Sequence, residues 1–364
     1  MLTKLSAGQV AIELLEQLSP ILTEASLWRK GNDFKSLALF ALALAYDISG
    51  QPNKASRYYE LASKMAESAE DYWQLANCLC NLALALWPCG NLHAAERAAR
   101  RALKIRDNRF PKTYNVQILG ILFAIRGESS SSDRLLGWTR KRYTLENDAR
   151  SEGAASSQLA QNHLWLDQAA EALRLADAAW KLAQFQQRER DLIRAARIKG
   201  SAELRLGDLT SAEHSLQAAI ARARSVGFVQ EELSALTALA ELNLRRKQYD
   251  AALGLLEQVW SPAERGPYPL WHADACNVLA QVEGQRGNIR AAVEAASTAY
   301  RLAWCDGPPY AYHYGLTNAR KHLQELESVE PRLPPFDPTR FPPMPDGGLN
   351  FENDFKDDQE EVDG

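Results

Sequence analysis

Hydrophobic positions along the chain recur at intervals of three and four residues on both sides of a series of turn residues. After the turn at Asp167, for example, the residues with this spacing are Ala172, Leu173, Ala176, Ala179, Trp180 and Ala183. Intervals of three and four place side chains on one face of an α-helix, and no stretch shows the clear alternation of a β-strand. Each turn is therefore predicted to join two helices.

The turn residues repeat with a nearly constant period. Five of the six steps between them are 40 residues long and one is 37, at Gly50, Gly90, Gly127, Asp167, Gly207, Lys247 and Gly287. Small residues keep the same period seven positions before and five positions after each turn, as Ala43 and Ala55 do around the first. Small side chains let helices approach closely, and a single hairpin of this length buries its apolar face only by stacking on its neighbours. The sequence therefore predicts an all-α solenoid of about seven helical hairpins with a period of roughly 40 residues.

The first hairpins resemble the tetratricopeptide repeat (TPR) motif. The motif's leucine, small, aromatic, glycine and alanine positions are occupied here by Leu42, Ala43, Tyr46, Gly50, Ala55, Tyr59 and Ala62. The resemblance covers about residues 30 to 325 and implies a right-handed α-solenoid whose first helices line a concave groove. The period is 40 rather than 34, and the third unit, GESSSSDRLLGW, is expected to be distorted because serine replaces its alanine.

The longer period and the proline-rich ending resemble the C-terminal repeat region of bacterial signalling NTPases of the NACHT or STAND type. In those proteins the repeats sense a ligand or partner, and a nucleotide switch responds. The chain contains no G-x-x-x-x-G-K-[ST] phosphate loop. Both a free-standing protein and a piece of a longer one remain open at this point.

Composition divides the chain into four predicted segments. Residues 1–30 are expected to form an N-terminal capping helix or half repeat, and residues 31–328 the solenoid. Residues 329–345 form a proline-rich arm, with seven prolines from Pro331 to Pro345. Residues 346–364 are expected to be a disordered acidic tail.

The acidic tail is the cause of the net charge of −4, since it holds eight acidic residues and one basic residue. The rest of the chain carries 41 basic and 38 acidic residues, too even a balance for a nucleic-acid-binding surface. No apolar run is long enough to span a membrane, and the N-terminal residues lack the pattern of a signal peptide. The five cysteines lack zinc-site spacing, so we expect a cytoplasmic protein with reduced thiols and with neither metal nor cofactor.

Catalytic motifs are missing from the sequence. The six histidines are scattered, with no H-E-x-x-H, G-x-S-x-G or G-x-G-x-x-G pattern. We therefore expect no enzyme activity.

The TPR resemblance implies which residues face the groove. Positions two, five and nine of each first helix commonly meet a bound peptide, and at or near these positions the later units offer Arg194, Arg197, Ser201, Arg205, Arg245, Asn277 and Gln281. The planar guanidinium of arginine suits carboxylate or phosphate groups. The alternative is that these arginines pair with nearby acids such as Glu231 and Glu232.

The function predicted from these features is that of a non-catalytic interaction module. It would bind a peptide or a partner surface in the groove, with an acidic partner and the chain's own acidic tail as candidate occupants. It would serve as a candidate sensor part of a signalling assembly. The alternative is a small-ligand receptor that regulates an NTPase or a transcription complex.

Two similar segments, GPYPLWHADACN from Gly266 and GPPYAYHYGLTN from Gly307, place a histidine and an asparagine at the same spacing. A repeated connector is the preferred interpretation and a ligand site the alternative. In the connector interpretation both glycines are expected to supply left-handed helix ends.

Overall fold

The computed structural model describes residues 32–105 and 112–345, which form fifteen α-helices and no strand. The helices are α1 (Asn32–Ile48), α2 (Pro52–Ser68), α3 (Tyr72–Leu86), α4 (Leu92–Lys104), α5 (Lys112–Ile125), α6 (Ser129–Leu145), α7 (Ala149–Trp165), α8 (Ala169–Phe185), α9 (Glu189–Leu206), α10 (Leu209–Val226), α11 (Val229–Arg245), α12 (Tyr249–Arg265), α13 (Pro269–Gln285), α14 (Ile289–Trp304) and α15 (His313–Glu325). The first fourteen pair into seven hairpins, numbered here as units 1 to 7, and α15 follows as a single helix. The predicted all-α solenoid is confirmed.

The seven predicted turn residues all have left-handed backbone conformations. Their φ angles lie between 58° for Asp167 and 88° for Gly207. Glycine adopts this region without steric cost, which explains its use at five of the seven turns. The 40-residue period therefore marks the end of the first helix in each unit.

The columns of small residues lie where helices touch. Ala43, Ala55 and their counterparts in the other units are buried. Gly120 and Gly200 occupy the same column as Ala43, and a Cβ atom there would come within 2.8 Å and 2.7 Å of the Cγ atoms of Leu136 and Leu216. Glycine is required at these two positions because a leucine of the second helix fills the space.

The expected distortion of unit 3 is wrong. Its second helix runs unbroken from Ser129 to Leu145. Ser132 takes the place of the usual alanine and is fully buried beside Leu135 and Leu136. Serine is small enough to preserve the helix contact.

The first helices form the inner row of the array. Those of consecutive units contact one another, as α7, α9, α11, α13 and α15 do in succession, and each second helix packs outside its own first helix. Polar side chains on the exposed face of the first helices are thereby directed towards the middle of the superhelix.

The array curls until its early turns touch its later connectors. The turn of unit 1, at Gly50, lies against Val229 and Tyr268. Beside the turn of unit 2, the rings of Trp87 and Trp271 are 5.2 Å apart. These contacts close the groove into a central space.

Units 2 and 3 complete the closure against the last connector. The backbone N–H of His93 donates to Asp306 Oδ2 at 2.9 Å, which caps the start of α4. Arg126 Nε donates to the Pro309 carbonyl oxygen at 3.0 Å, and the hydroxyl groups of Ser129 and Tyr314 are 2.9 Å apart. We use the term closure for all these contacts between early and late units. They join Gly50 to Val229 and Tyr268, Trp87 to Trp271, His93 to Asp306, Arg126 to Pro309, and Ser129 to Tyr314.

The two similar Gly-Pro segments are the connectors on which units 2 and 3 dock. Gly90 approaches Pro269 of the first, and Gly127 lies under His313 of the second. The expectation of two left-handed glycines is correct for Gly307, with φ 86°, and wrong for Gly266. Gly266 has φ −61° because α12 continues in right-handed geometry to its end.

The proline-rich segment from 329 to 345 crosses the closure on the outside. The Trp304 indole N–H donates to the Pro334 carbonyl oxygen at 2.9 Å. Phe336 packs against both His93 and Tyr310, with ring centroids 5.4 Å and 4.8 Å away. Arg97 Nε donates to the Pro343 carbonyl oxygen at 3.1 Å. This segment, the arm, therefore ties the last units to unit 2.

Two of the predicted segments cannot be compared with the structure. The capping helix or half repeat at 1–30 and the acidic tail at 346–364 both lie outside the described residues.

Candidate functional site

A central cavity of about 550 Å³ occupies the middle of the superhelix. Side chains from the inner helices α5, α7, α9, α11, α13 and α15 line it, and Trp87 completes it from the closure. Enclosure follows from the curl of the array, since each inner helix contributes the same face.

The lining repeats with the period of the sequence. One position of the inner helices supplies Ser157, Arg197, Thr237 and Asn277, and another supplies Gln161, Ser201, Glu241 and Gln281. The seven residues that were predicted from the sequence to face the groove all line the cavity. The fold therefore brings together side chains that are up to 87 residues apart in the chain, from Arg194 to Gln281.

The cavity has an apolar wall and a polar wall. Apolar side chains come mainly from units 2 to 4 and the closure, namely Trp87, Ile121, Ala124, Ile125, Leu136, Leu164, Trp165, Leu270 and Trp271. Leu37 and Leu84, on the first helices of units 1 and 2, do not line the cavity. The apolar wall lies where early and late units meet at the closure.

Arg194 and Arg197 share a single carboxylate in the polar wall. Their Nε atoms each donate to one oxygen of Glu231 at 2.9 Å. Arg197 also donates to Gln161. Burial opposes ionisation of Glu231, but Arg197 and Arg194 outweigh it and keep its pKa below the ordinary value. The ion-pairing alternative is thus realised for both arginines, within the cavity rather than on the outer surface.

Arg205 and Arg245 share a second carboxylate, Glu241. Arg245 Nη2 lies 3.0 Å from a Glu241 oxygen, and Arg205 Nη2 lies 4.0 Å from the other. Arg245 also donates to the Leu204 carbonyl oxygen at 2.6 Å. Two guanidinium groups thus face one carboxylate, which leaves a surplus positive charge at this end of the cavity.

Asp274 is the third carboxylate of the cavity. Both of its oxygens lie 3.0 Å from the Tyr312 hydroxyl. Burial raises the pKa of Asp274 to about 7, although the Tyr312 bond and the charges of Arg197 and Arg205 act in the opposite direction. Asp274 can therefore change its charge near neutral pH.

Two nominated residues contact α15. Asn277 Nδ2 donates to the Gly315 carbonyl oxygen at 3.0 Å. Gln281 Nε2 lies 3.3 Å from His322 Nε2, and burial lowers the pKa of that histidine. These contacts anchor the last inner helix to unit 7.

Sequence reasoning missed the aromatic and α15 contributions to the cavity. Trp87, Tyr312 and His322 lie outside the positions that the repeat pattern assigns to the groove. They reach the cavity only through the closure or the final helix. The one sequence signal is the density of aromatic residues in the second Gly-Pro connector, which contains Tyr312.

Comparison with known proteins identifies the repeat. Two tetratricopeptide repeat family profiles match residues 37–68 and 75–106. The chain therefore contains tetratricopeptide repeats in units 1 and 2. No curated protein sequence matches this TPR chain.

Solved structures share the fold of this TPR protein at low sequence identity. A Rap protein in complex with Competence and Sporulation Factor is 15% identical with a TM-score of 0.57, and the match covers 88% of this chain and 99% of that one. Yeast Tom70 is 15% identical with a TM-score of 0.50, covering 88% and 72%.

A third structure is a STAND protein with a tetratricopeptide repeat sensor from Pyrococcus horikoshii. It is 13% identical with a TM-score of 0.50, and the match covers 89% of this chain. The TPR chain spans about half of that protein, 54% of its length. In fold, the TPR protein resembles the repeat regions of STAND proteins.

Proposed function

We propose that this TPR protein is a non-catalytic interaction module that binds an acidic peptide segment of a partner in its central cavity. The observation that carries the proposal is the charge of the lining. Five basic side chains (Arg194, Arg197, Arg205, Arg245 and Lys321) face three acidic ones. Ligand carboxylates would offset this surplus, and a guanidinium group can bind a carboxylate through two parallel hydrogen bonds.

The form of the cavity supports the same proposal. Its volume lies within the roughly 300–1,000 Å³ of ordinary ligand sites, which suits a short peptide segment better than a folded surface. The apolar wall around Trp87 and Trp165 offers contact area for side chains, while the arginine wall fixes orientation. Residues 31–328 would form the binding body in this proposal, with the arm holding the closure.

Two of the solved structures with a similar fold suggest a role for this one. The Rap protein was determined together with Competence and Sporulation Factor, and the STAND protein carries its repeats as a sensor. By that parallel the module would act as the sensor part of a signalling assembly, in the cytoplasm and without nucleic acid. None of the described helices is both long and apolar enough to cross a membrane.

A small-ligand receptor is the second candidate, and the enclosure of the cavity favours it. A space bounded by both the inner helices and the closure can surround a compact molecule on most sides. In this alternative the bound molecule would regulate an associated NTPase or transcription complex.

Filling the cavity tests both candidates. Ser201 lines the cavity from α9, so Ser201→Trp is expected to occlude it. Ser225, exposed on α10, provides the matched control Ser225→Trp. Each protein is incubated with an extract of the native cell, and retained molecules are identified by mass spectrometry. We expect an acidic peptide or protein on the wild type and on Ser225→Trp, and its loss from Ser201→Trp.

The result that contradicts the proposal is an unchanged set of retained molecules on Ser201→Trp, which would place binding outside the cavity. A retained species of low mass that is not a peptide would instead select the small-ligand receptor. A further protein that lacks residues 346–364 shows whether the acidic tail competes, since its removal would then increase retention.

A further inference from the structure

Asp274 differs from the other two carboxylates of the cavity. Glu231 and Glu241 each face two arginines, whereas Asp274 has no ion-pair partner among residues 32–105 and 112–345. Its one hydrogen-bond donor there is the Tyr312 hydroxyl. An ionised carboxylate has about four acceptor positions, so Asp274 retains capacity for further donors.

Asn277 presents a further acceptor, and this one has no donor among the described residues. Its Nδ2 group donates to the Gly315 carbonyl oxygen, which fixes the orientation of the amide. The Oδ1 atom is buried and has no partner within the part of the chain that the structure describes, and the residue is 3% exposed. A buried acceptor without a donor costs about 1–3 kcal/mol, so a missing partner is the expected explanation.

The two acceptors lie on one face of α13, because residues three apart on a helix are neighbours. Trp271 precedes Asp274 by the same interval and also lines the cavity. A primary ammonium group has three donors and no acceptor, and aromatic faces attract cations. Two oxygens are too few for Ca²⁺, which takes six to eight.

The surplus positive charge of the cavity restricts what can carry this ammonium group. Arg197 and Arg205 act electrostatically on Asp274 and would repel a simple cation. A ligand that also carries carboxylates would instead be attracted, because Arg205 and Arg245 share the single carboxylate of Glu241 within the described ranges. The ligand must therefore combine both charges.

We propose that the cavity binds a molecule with a free primary ammonium group and at least one carboxylate, with the ammonium on Asp274 and Asn277 and the carboxylate at Arg205 and Arg245. This is the chemistry of an amino acid or of an acidic peptide with an unblocked N-terminus. The inference rests on the proposed function and specifies the ligand of the same cavity.

The test compares unblocked tetrapeptides of the form Xaa-Xaa-Glu-Glu with the same peptides acetylated at the N-terminus, and with free glutamate. Retention after ultrafiltration is measured by mass spectrometry at pH 7.5. We expect the wild type to retain unblocked peptides about tenfold better, as hydrogen bonds to charged groups contribute that much. Asp274→Asn should reduce the ratio to near one. Asp250→Asn, at an exposed position of α12, is the control and should keep it.

The wild type gives a second test that needs no substitution. The preference for unblocked peptides should fall as the pH is lowered from 7.5 to 5.5, because the pKa of Asp274 is raised by burial to about 7. The groups that face Asp274 are Tyr312, Arg197, Arg205 and Glu241. Burial lowers the pKa of His322, elsewhere in the cavity, and so opposes its protonation.

Equal retention of blocked and unblocked peptides would overturn the inference, as would a preference that survives Asp274→Asn. If neither peptide set nor glutamate is retained while the cell extract still yields a species lost from Ser201→Trp, the inference fails and the proposed function stands. If nothing is retained in either experiment, both fail. Retention of glutamate alone that is lost from Asp274→Asn supports the inference with an amino acid as the ligand. A preference for unblocked peptides without retention of glutamate supports it with a peptide as the ligand.

Discussion

The turns of units 1 to 3 and those of units 5 to 7 follow the same sequence pattern but meet different surroundings. A Cβ atom at Gly127 would lie 2.4 Å from the His313 ring, whereas one at Gly207 or Gly287 would meet nothing within 4 Å. All three glycines have φ between 83° and 88°. The local turn is therefore the same, and the closure alone distinguishes the early turns.

This difference shows that one repeated residue can serve two purposes. In the later units glycine relieves backbone strain, and Lys247 replaces it at the turn of unit 6 with φ 60°. In the early units glycine also leaves room for a distant connector. The same substitution should thus have unequal costs in the two regions.

The largest expected difference comes from Gly127→Ala compared with Gly207→Ala. Both impose left-handed strain of about 1 kcal/mol on an alanine. Gly127→Ala adds a collision with the His313 ring, which should raise the total to about 3 kcal/mol. Urea unfolding followed by circular dichroism measures both, and equal losses would show that the early turn does not depend on the closure.

A second comparison uses two phenylalanines. Phe336 of the arm stacks with Phe341 at a centroid distance of 4.9 Å and covers His93. Phe185, at the end of α8, is 87% exposed. Phe336→Ala should reduce the free energy of unfolding by about 1–2 kcal/mol, and Phe185→Ala by less than about 0.5 kcal/mol. An arm that contributes nothing to the closure would give two equally small losses in the same urea experiment.

The smallest expected effect is a pH dependence of the closure. Burial lowers the pKa values of His93 and His313, which both lie at the closure. Their contribution to stability is complete above the unfolded pKa of about 6.5 and is lost as the pH falls through their lower folded values. Urea midpoints should therefore decrease from pH 7.5 to pH 5.

His93→Gln should reduce that decrease, since the charges facing His93 are Glu96, Arg97 and Arg126 and none of them forms an ion pair with it. His214→Gln, at an exposed position of α10, controls for the loss of a histidine. If the urea midpoint of His93→Gln changes with pH as much as that of the wild type, His93 does not contribute to the pH dependence.

The sequence predicted the local structure well because its causes are local. Turn glycines and columns of alanine specify each hairpin and its neighbour, and the period places Arg197, Ser201 and Asn277 on one face. The distortion predicted for unit 3 was wrong because Ser132 is a steric equivalent of alanine in a buried column. Short-range packing tolerates such a change.

The closure could not be predicted, since it depends on small rotations between units that add up over the array. Contacts such as Trp87 with Trp271 join positions 184 residues apart, with no shared motif. The net charge of the cavity was also predicted only in part. The sequence shows Glu231 and Glu241, but it does not show that each of them is shared by two arginines, because that depends on the distances between neighbouring helices.

The docking of Asp306 on the start of α4 has a consequence for how the molecule comes apart. Linear repeat arrays lose their terminal units first, because each unit depends only on its neighbours. Here unit 2 is bound to the last connector, so the units at the two ends of the array should unfold together rather than independently. Trimming the molecule from its C-terminal side would consequently weaken its opposite end, 213 residues away along the chain.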